Sequence, residues 1–210
     1  MSLSKRIFDI CLSGFGLVAS LPLWLLIAAA IKLEDWGPVF YTQERVGRDG
    51  RVFKVYKFRS MIPDAEKHTG AVWAAEHDPR VTKVGKVLRA TAMDELPQLW
   101  SIFKGDMSFV GPRPERPQLV EEFAREIPGF LKRFQVQPGL TGVAQVYGKY
   151  DTSPQHKLKY DMFYIWNQSL ALDLQLILFS FLVTFMGKWE DRGKPQMLRK
   201  WRRMLKGRKG

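Results

Sequence analysis

Two adjacent acidic residues, Asp94 and Glu95, are the first candidates for chemistry. They lie in the stretch ATAMDELPQLW, residues 90–100, in a chain of 210 residues whose net charge is +12. An ionised aspartate can act as a nucleophile, and a neighbouring glutamate can hold Mg²⁺, which prefers carboxylate and phosphate oxygens. The alternative is ordinary helix capping, because acidic residues are common in the first turn of a helix. Taken alone, the pair favours capping.

The residues around this pair predict that it lies at the N-terminus of a helix. Thr91 precedes Asp94 by three residues, which approximates a capping box, and Pro97 is tolerated in a first turn. Gly105 would end the helix, and its predicted apolar face consists of Leu96, Leu99, Trp100 and Phe103. The positive end of a helix dipole stabilises an ionised carboxylate and attracts phosphate.

Two turn segments supply further candidates. Arg113 lies between prolines in VGPRPERP, residues 110–117. A guanidinium on so stiff a backbone suits bidentate binding of phosphate, and the alternative is a rigid surface turn. In QPGLTG, residues 137–142, Gly139 and Gly142 would permit close approach of the backbone to a ligand.

The charge balance indicates an anionic partner. The chain has 33 Lys and Arg against 21 Asp and Glu, and such a surplus attracts nucleic acid, anionic lipid or phosphorylated substrates. Cys11 is the only cysteine, which excludes a disulfide framework and a cysteine-based zinc site. The histidines have no metal-ligand spacing.

An uncharged apolar run extends from Ile10 to Ile31 and is long enough for one membrane helix. A single-pass anchor and a cleaved signal peptide are the simple interpretations. Pro22 favours a third, because proline kinks or breaks a helix, and basic residues flank the run on both sides. We expect a hairpin that enters the membrane, breaks at Pro22 and leaves by the same face, with Ser20 bonding a carbonyl freed by the break. A kinked span remains the close alternative.

The middle of the chain predicts a β-hairpin followed by a helix. Residues 37–61 alternate in polarity around the turn-forming pair Asp49-Gly50. The cations of this segment, Lys57 among them, form either a solvated strand face or a surface for phosphate and lipid headgroups. Apolar residues at helical spacing then run from Val81 to Leu88.

The C-terminal third predicts helices at or near a membrane surface. Leu174 to Met186 is too short to span a membrane comfortably, so a core or interfacial helix is expected. Asp161 and Asp173 are interpreted as helix caps. The tail is basic with interspersed apolar residues, which favours a membrane-surface amphipathic helix over a disordered or nucleic-acid-binding tail.

These patterns together predict an α+β, mostly helical fold. It would comprise a re-entrant membrane helix hairpin broken at Pro22, a small β-hairpin, and a main domain with interfacial amphipathic helices, which the family resemblance carried by the motifs that follow implies is a cytosolic catalytic domain. The predicted boundaries are residues 1–33 for the membrane helix, 34–190 for the main domain and 191–210 for the basic tail.

The ordered set of motifs closely resembles the bacterial sugar transferase family, the monotopic phosphoglycosyl transferases, from about residue 4 to residue 187. The motifs are LPLWLLIAAAIKLE, GPVFYTQERVGRDGRVFKVYKFRSM, VGKVLRATAMDELPQLWSIFKGDMSFVGPRPE, QPGLTGVAQVYGK and LDLQLIL. The resemblance implies transfer of a sugar-1-phosphate from a UDP-sugar to undecaprenyl phosphate, with release of UMP. It also implies a location on the cytoplasmic face of the bacterial inner membrane, in contact with anionic lipid. The reaction would start the assembly of an exopolysaccharide, O-antigen, capsule or glycoprotein glycan.

The resemblance also implies residue roles. Asp94 would attack the β-phosphorus and form a covalent phosphosugar intermediate, and Glu95, together with Asp94, would hold Mg²⁺. Arg113 would bind phosphate, and Arg89 and Lys57 would contact phosphate or the lipid carrier. The capping interpretation of Asp94 is then replaced by catalysis.

Family members enter the bilayer through a helix broken at a proline, which corresponds to Pro22. Some relatives have serine directly before that proline, whereas here Leu21 intervenes and the serine is Ser20. The chain is expected to be either the short form of the family or the catalytic domain of a longer protein.

Two other functions remain as alternatives: a non-catalytic basic membrane-surface adaptor, and a nucleic-acid binder. No nucleic-acid-binding motif supports the second, so we expect no nucleic-acid partner. The sequence leaves open which UDP-sugar is used, which glycan is made and whether the protein is a homodimer.

Overall fold

The computed structural model describes residues 2–65, 67, 78–148 and 152–185. Within these ranges the chain forms seven α-helices and four short strands, joined in part by 3₁₀ turns. A mostly helical α+β fold is therefore confirmed. The tail predicted for residues 191–210 lies outside the described residues and stays a prediction.

Helix α1 spans Leu3–Asp35 and is helical at every position. The hairpin expected to break at Pro22 is not confirmed, because the helix runs through this proline without interruption. The role expected of Ser20 is wrong: its hydroxyl donates to the carbonyl of Leu17 at 3.4 Å and accepts from the indole of Trp24 at 3.0 Å. The carbonyl that lacks a partner because of Pro22 is four residues before it, at Val18.

Both ends of α1 contact the same body, which is the part of the protein formed by the elements that follow this helix. Near its start, the Lys5 ammonium lies 2.6 Å from a carboxylate oxygen of Asp173. Near its end, Asp35 forms a bidentate ion pair with Arg59, and Glu34 accepts from the backbone N–H of Lys83 at 2.6 Å. Packing against that body extends over the whole length of the helix.

The opposite face of α1 is apolar and uncovered. By length and composition this helix could cross a membrane. Its most exposed large side chains in the middle of the run are Phe15, Val18, Leu21, Leu25 and Leu26. Such a contiguous apolar face is typical of contact with lipid or protein.

Strands β1 (Phe40–Val46) and β2 (Val52–Phe58) form the predicted antiparallel hairpin. Asp49 and Gly50 in the turn have φ of 57° and 77°, as expected for a turn that requires positive φ at both positions. Phe58 is buried against the second half of α1, which fixes the hairpin to that helix.

Helices α2 (Lys83–Ala90) and α3 (Gln98–Lys104) are separated by a 3₁₀ turn at Met93–Glu95. Thr82 caps α2 by accepting from the N–H of Gly85 at 2.9 Å. Gly105, in the left-handed conformation, ends α3 as predicted.

Strands β3 (Ser108–Val110) and β4 (Gly139–Thr141) form a short parallel pair. A Cβ atom at Gly139 would lie 2.1 Å from the backbone nitrogen of Gly111, so only glycine fits. The close approach expected at Gly139 is therefore made to the backbone of Gly111 and not to a ligand. This contact places the QPGLTG segment beside the VGPRPERP segment.

The remaining elements enclose the core. They are α4 (Pro117–Glu126), a 3₁₀ turn at Phe130–Gln135, α5 (Val143–Tyr147), α6 (Pro154–Trp166) and α7 (Leu170–Phe185). Helix α7 buries Leu172 and Leu176 and exposes apolar side chains on its other face, which agrees with a helix that is part core and part interfacial.

The capping roles expected of two aspartates are wrong. Asp161 lies within α6, where its carboxylate is 2.9 Å from the guanidinium of Arg133. Asp173 is also fully buried and accepts from Lys5 and from the hydroxyl of Tyr164, at 2.6 and 2.8 Å. Sequence alone favours capping for an isolated acid near a helix start, whereas here tertiary partners determine both positions.

Candidate active site

Asp94 lies in the 3₁₀ turn between α2 and α3, directly after Ala92 and Met93. Ala92 has a positive φ of 55°, a conformation unusual for a residue with a side chain, and it redirects the chain out of α2. Asp94 is only 8% exposed, and its carboxylate has no hydrogen-bond or ion-pair partner within the described part of the chain.

The predicted capping box is wrong. The hydroxyl of Thr91 donates to the carbonyl of Val87 at 2.8 Å and therefore satisfies the end of α2. Asp94 precedes α3 by one short turn, so its placement near the start of that helix is confirmed while its capping partner is not.

Burial raises the pKa of the Asp94 carboxyl above its usual value of 3.8. The adjacent negative charge of Glu95 raises it further, and the positive charges of Lys57, Arg89 and Arg113 oppose the rise. An isolated carboxylate beside several cations is a strong candidate for a nucleophile that attacks an anionic substrate.

Glu95 has the opposite environment. One of its carboxylate oxygens lies 2.5 Å from the ammonium of Lys57 and 2.7 Å from the guanidinium of Arg113. Burial alone would raise the pKa of the Glu95 carboxyl, but the charges of Arg113 and Lys57 outweigh it and hold that pKa well below its usual range. In return, Glu95 raises the pKa of Arg113. Glu95 is therefore ionised and fixed in position.

Four elements bring these side chains together. Lys57 comes from β2, Arg89 from the end of α2, and Arg113 from the loop after β3. The Nε of Arg89 donates to the hydroxyl of Ser60 at 3.0 Å. The structure thus gathers all five residues predicted for the catalytic and phosphate site. Pro22 and Ser20 lie apart, in α1.

Two further arginines hold the Arg113 loop: Arg133, which the sequence did not single out, and Arg45, one of the strand cations expected to form either a solvated face or a surface for phosphate and lipid headgroups. Buried Arg133 donates to the backbone carbonyl of Arg113 at 2.9 Å, and Arg45 donates to the carbonyl of Pro114 at 3.0 Å. Burial lowers the pKa of Arg45 to about 10. The proline-rich loop has few N–H groups of its own, so donors from elsewhere must satisfy its carbonyls. The signal available in the sequence was Arg133 itself, a cation among apolar residues in FLKRFQ.

The carboxylates fit a magnesium site only in combination with a substrate. Within the described ranges, no group of three or more His, Cys, Asp or Glu side chains could hold a metal ion. Protein Mg²⁺ is, however, commonly held by one or two carboxylates together with substrate phosphates and water. Asp94 and Glu95 supply such a pair, beside cations that would bind the same phosphates.

A cavity of about 200 Å³ opens beside Glu95 and Arg113. Its remaining described walls come from Ala92, at the start of the 3₁₀ turn, and from β4, α5 and α7, which contribute Leu140, Thr141, Gln145, Val146, Ser180, Val183 and Thr184. Glu95 and Arg113 therefore lie at the edge of a cavity that is large enough for part of a ligand.

Comparison with known proteins shows the family of this chain. The family model described as "Bacterial sugar transferase" matches residues 1–187. The chain belongs to this family.

Several relatives within the family have names that state an activity or a process. A protein of Aeromonas hydrophila, named UDP-N-acetylgalactosamine-undecaprenyl-phosphate N-acetylgalactosaminephosphotransferase, is 45% identical over 87% of this chain and 43% of its own length. A UDP-glucose:undecaprenyl-phosphate glucose-1-phosphate transferase of Klebsiella pneumoniae is 43% identical over 87% of this chain and 40% of its own length. The exopolysaccharide production protein ExoY of Rhizobium meliloti is 39% identical, over 83% of this chain and 82% of its own length. The chain thus spans less than half the length of the first two relatives.

Proposed function

We propose that this member of the family transfers a sugar-1-phosphate from a UDP-sugar to undecaprenyl phosphate. One observation carries the proposal: the Asp94 carboxylate is buried, free of described hydrogen-bond partners and surrounded by the charges of Lys57, Arg89 and Arg113. The names of the relatives support the choice of donor and acceptor.

The reaction proceeds by two displacements. A carboxylate oxygen of Asp94 attacks the β-phosphorus of the UDP-sugar, and the bond to the oxygen bridging the two phosphorus atoms breaks. UMP leaves with that oxygen and its electron pair, and the sugar-1-phosphate remains on Asp94 as an acyl phosphate. A phosphate oxygen of undecaprenyl phosphate then attacks the same phosphorus and displaces the carboxylate. Because the intermediate is covalent, the soluble and lipidic substrates need not be bound together.

The surrounding residues bind and orient the phosphates. Arg113 offers a planar guanidinium suited to phosphate, which is charged at physiological pH, and Glu95 raises its pKa further. Lys57 adds a second positive charge beside the same carboxylate. Asp94 and Glu95 would hold Mg²⁺ together with the diphosphate, and the ion would supply charge neutralisation of the leaving UMP. Water is excluded from Asp94 by its burial, which protects an acyl phosphate from hydrolysis.

The location proposed is the cytoplasmic face of the bacterial inner membrane. The uncovered apolar faces of α1 and α7 would enter the lipid, and anionic headgroups would attract the basic surface. Contact of both ends of α1 with one body supports a monotopic arrangement, with both ends of the helix on the same face. A role in the first membrane step of exopolysaccharide assembly is supported by the name of the Rhizobium relative.

A non-catalytic membrane-surface adaptor is the second candidate. It is favoured by the exposed apolar side chains of α1 and α7, which would bind a membrane without any chemistry. An adaptor would bind anionic vesicles in a salt-dependent manner and release no UMP.

The test is UMP release from a panel of UDP-sugars by protein in lipid nanodiscs with Mg²⁺, without and with undecaprenyl phosphate. Without acceptor, a UDP-sugar labelled in the sugar should leave about one label per protein. Asp94→Asn should abolish both the label and turnover. Asp49→Asn, on an exposed turn, is the matched control and should keep both. Full turnover by Asp94→Asn, or no UMP from any donor with the unaltered protein, would overturn the proposal.

A further inference from the structure

We propose that the cavity beside Glu95 and Arg113 receives the sugar ring of the donor, and that Thr141 and Gln145 determine which sugar is accepted. This inference rests on the proposed function, because it assigns a part of the same donor to a neighbouring space. It adds two specificity residues from the QPGLTGVAQV segment.

Two polar atoms at this cavity lack partners. Thr141 is 7% exposed, and its hydroxyl oxygen is buried without a hydrogen-bond partner among the described residues. The side-chain oxygen of Gln145 is likewise buried and unpaired, while its amide nitrogen donates to the carbonyl of Leu140 at 3.2 Å. Buried polar atoms are rarely left unpaired. Both residues line the same cavity, and we take a ligand with hydroxyl groups as the partner that completes their hydrogen bonds.

The position of the cavity follows from the reaction. Asp94 must approach the β-phosphorus, and the cations beside Glu95 bind the phosphate oxygens. The sugar is attached to that same phosphorus, so it must lie next to Asp94 and Arg113. Ala92 and Glu95, on either side of Asp94 in the chain, line the cavity together with Arg113, so we place the sugar ring there.

The chemistry of the walls fits a sugar better than the other parts of the two substrates. Thr141, Gln145, Ser180 and Thr184 offer neutral hydroxyl and amide groups, which recognise hydroxyls without the cost of burying charge. None of the described lining residues is aromatic, although a uracil base is commonly held by stacking on an aromatic ring. A polyprenyl chain would leave the unpaired polar atoms of Thr141 and Gln145 without partners. The apolar walls, Leu140, Val146 and Val183, suit the C–H faces of a sugar ring.

The backbone that carries Thr141 is held independently of its side chain. Its carbonyl accepts from the N–H of Gly111 at 3.0 Å. A Cβ atom at Gly142 would lie 2.2 Å from the carbonyl oxygen of Gly111, so the two segments are in contact. Thr141→Val, which removes only the hydroxyl at nearly constant volume, should therefore leave the fold intact.

The experiment measures donor selectivity in the half-reaction without acceptor. Single-turnover UMP release is followed with UDP-glucose, UDP-galactose and their N-acetylated counterparts, which differ in one substituent or in the orientation of one hydroxyl. Thr141→Val and Gln145→Leu should lower kcat/KM for the preferred donor by about tenfold or more relative to the others, because a site that hydrogen-bonds a hydroxyl discriminates strongly. Thr141→Ser, which keeps the hydroxyl, should retain selectivity. Thr42→Val, the same change on an exposed strand position, is the control.

Binding measurements separate this inference from the proposed function. The affinity of each protein for UDP and for the preferred UDP-sugar is measured by isothermal titration. Thr141→Val should weaken binding of the UDP-sugar and leave binding of UDP unchanged. If the unaltered protein releases no UMP yet shows this pattern, the sugar subsite stands while the transfer reaction fails.

Three results would overturn the sugar subsite. One is an equal loss for every donor. Another is unchanged selectivity in both cavity variants. The third is an effect confined to the second half-reaction, with undecaprenyl phosphate, which would assign the cavity to the lipid carrier.

Discussion

Asp94 and Glu95 are adjacent in the chain, yet their carboxyl groups lie in opposite electrostatic environments. Glu95 lies within hydrogen-bonding distance of two cations, and their charges hold its pKa well below the usual range. Asp94 has no such described partner, and burial raises its pKa. Separate environments of this kind allow two neighbouring carboxyl groups to perform different roles.

The first prediction concerns the pH dependence of the acceptor-free half-reaction. The nucleophile must be ionised, so UMP release should fall as pH drops through the raised pKa of Asp94, above the usual value of 3.8. Lys57→Met removes a positive charge that favours the ionised form, and the acid limb should move to higher pH. Single-turnover rates across a pH series measure this shift.

Lys104→Met provides the control for that prediction. Lys104 pairs with Asp106 at 2.8 Å, on an exposed part of the chain, so its loss should leave the acid limb in place. An acid limb that stays fixed, or moves to lower pH, in Lys57→Met would contradict the proposed influence of Lys57 on Asp94.

The second prediction concerns Arg113. Arg113→Gln should raise KM for the UDP-sugar by about tenfold or more, because a charged hydrogen bond to phosphate is lost. Arg113→Lys should recover only part of this loss, since an ammonium cannot reproduce the planar fork of a guanidinium. Steady-state kinetics with varied donor concentration test both variants. Arg125→Gln, at an exposed position on α4, should leave KM unchanged, and an equal effect of both changes would argue against phosphate binding by Arg113.

The third prediction concerns the buried pair of Arg133 and Asp161. Both side chains are 3% exposed, so Arg133→Met leaves a carboxylate buried without its partner and should reduce the free energy of unfolding by about 3–5 kcal/mol. Burial raises the pKa of Asp161 to about 6 even with Arg133 present, and loss of Arg133 raises it further. The protonated carboxyl is the better tolerated form, so the destabilisation should be smaller at pH 5 than at pH 8.

Denaturant unfolding in detergent at the two pH values measures this difference. The double variant Arg133→Met, Asp161→Leu removes the isolated charge and should recover much of the lost stability. Its activity should remain low, because Arg133 also holds the carbonyl of Arg113. Full recovery of activity together with stability would show that Arg133 has no positioning role.

The fourth prediction concerns the topology of α1. Lys5 is anchored to Asp173, and Glu34 is anchored to the start of α2, so both ends of the helix should lie on the cytoplasmic side. In a Cys11→Ser background, Leu3→Cys should resist a membrane-impermeant maleimide in intact cells and react after permeabilisation. Labelling in intact cells would exclude this arrangement.

A matched change tests the anchor itself. Lys5→Met removes the ammonium that pairs with buried Asp173 and should destabilise the attachment of the N-terminal end of α1. In the Cys11→Ser background, Ser13→Cys, at a fully buried position of α1, should then become more reactive in permeabilised cells, whereas Lys54→Met, on an exposed strand position, should have no such effect.

Much of the local structure could be predicted because it depends on neighbouring residues. The Asp49-Gly50 turn, the α2 helix and the end of α3 at Gly105 all follow from turn-forming residues and apolar spacing. The Asp94-Glu95 pair was likewise visible as a motif. The capping partner of Asp94 was predicted wrongly, because the hydroxyl of Thr91 bonds the preceding helix instead.

The β-hairpin, α2 and the residues of the charged site could be predicted because propensities and motifs are carried by residues close together in the chain. Tertiary packing selects the cations that contact Glu95, because Lys57 and Arg113 are separated from it by 38 and 18 positions. Tertiary packing also brings Arg133 to the Arg113 loop and Gly139 to Gly111. Such contacts depend on how distant segments pack, and an ion pair or a close backbone approach leaves no periodic signal in the sequence.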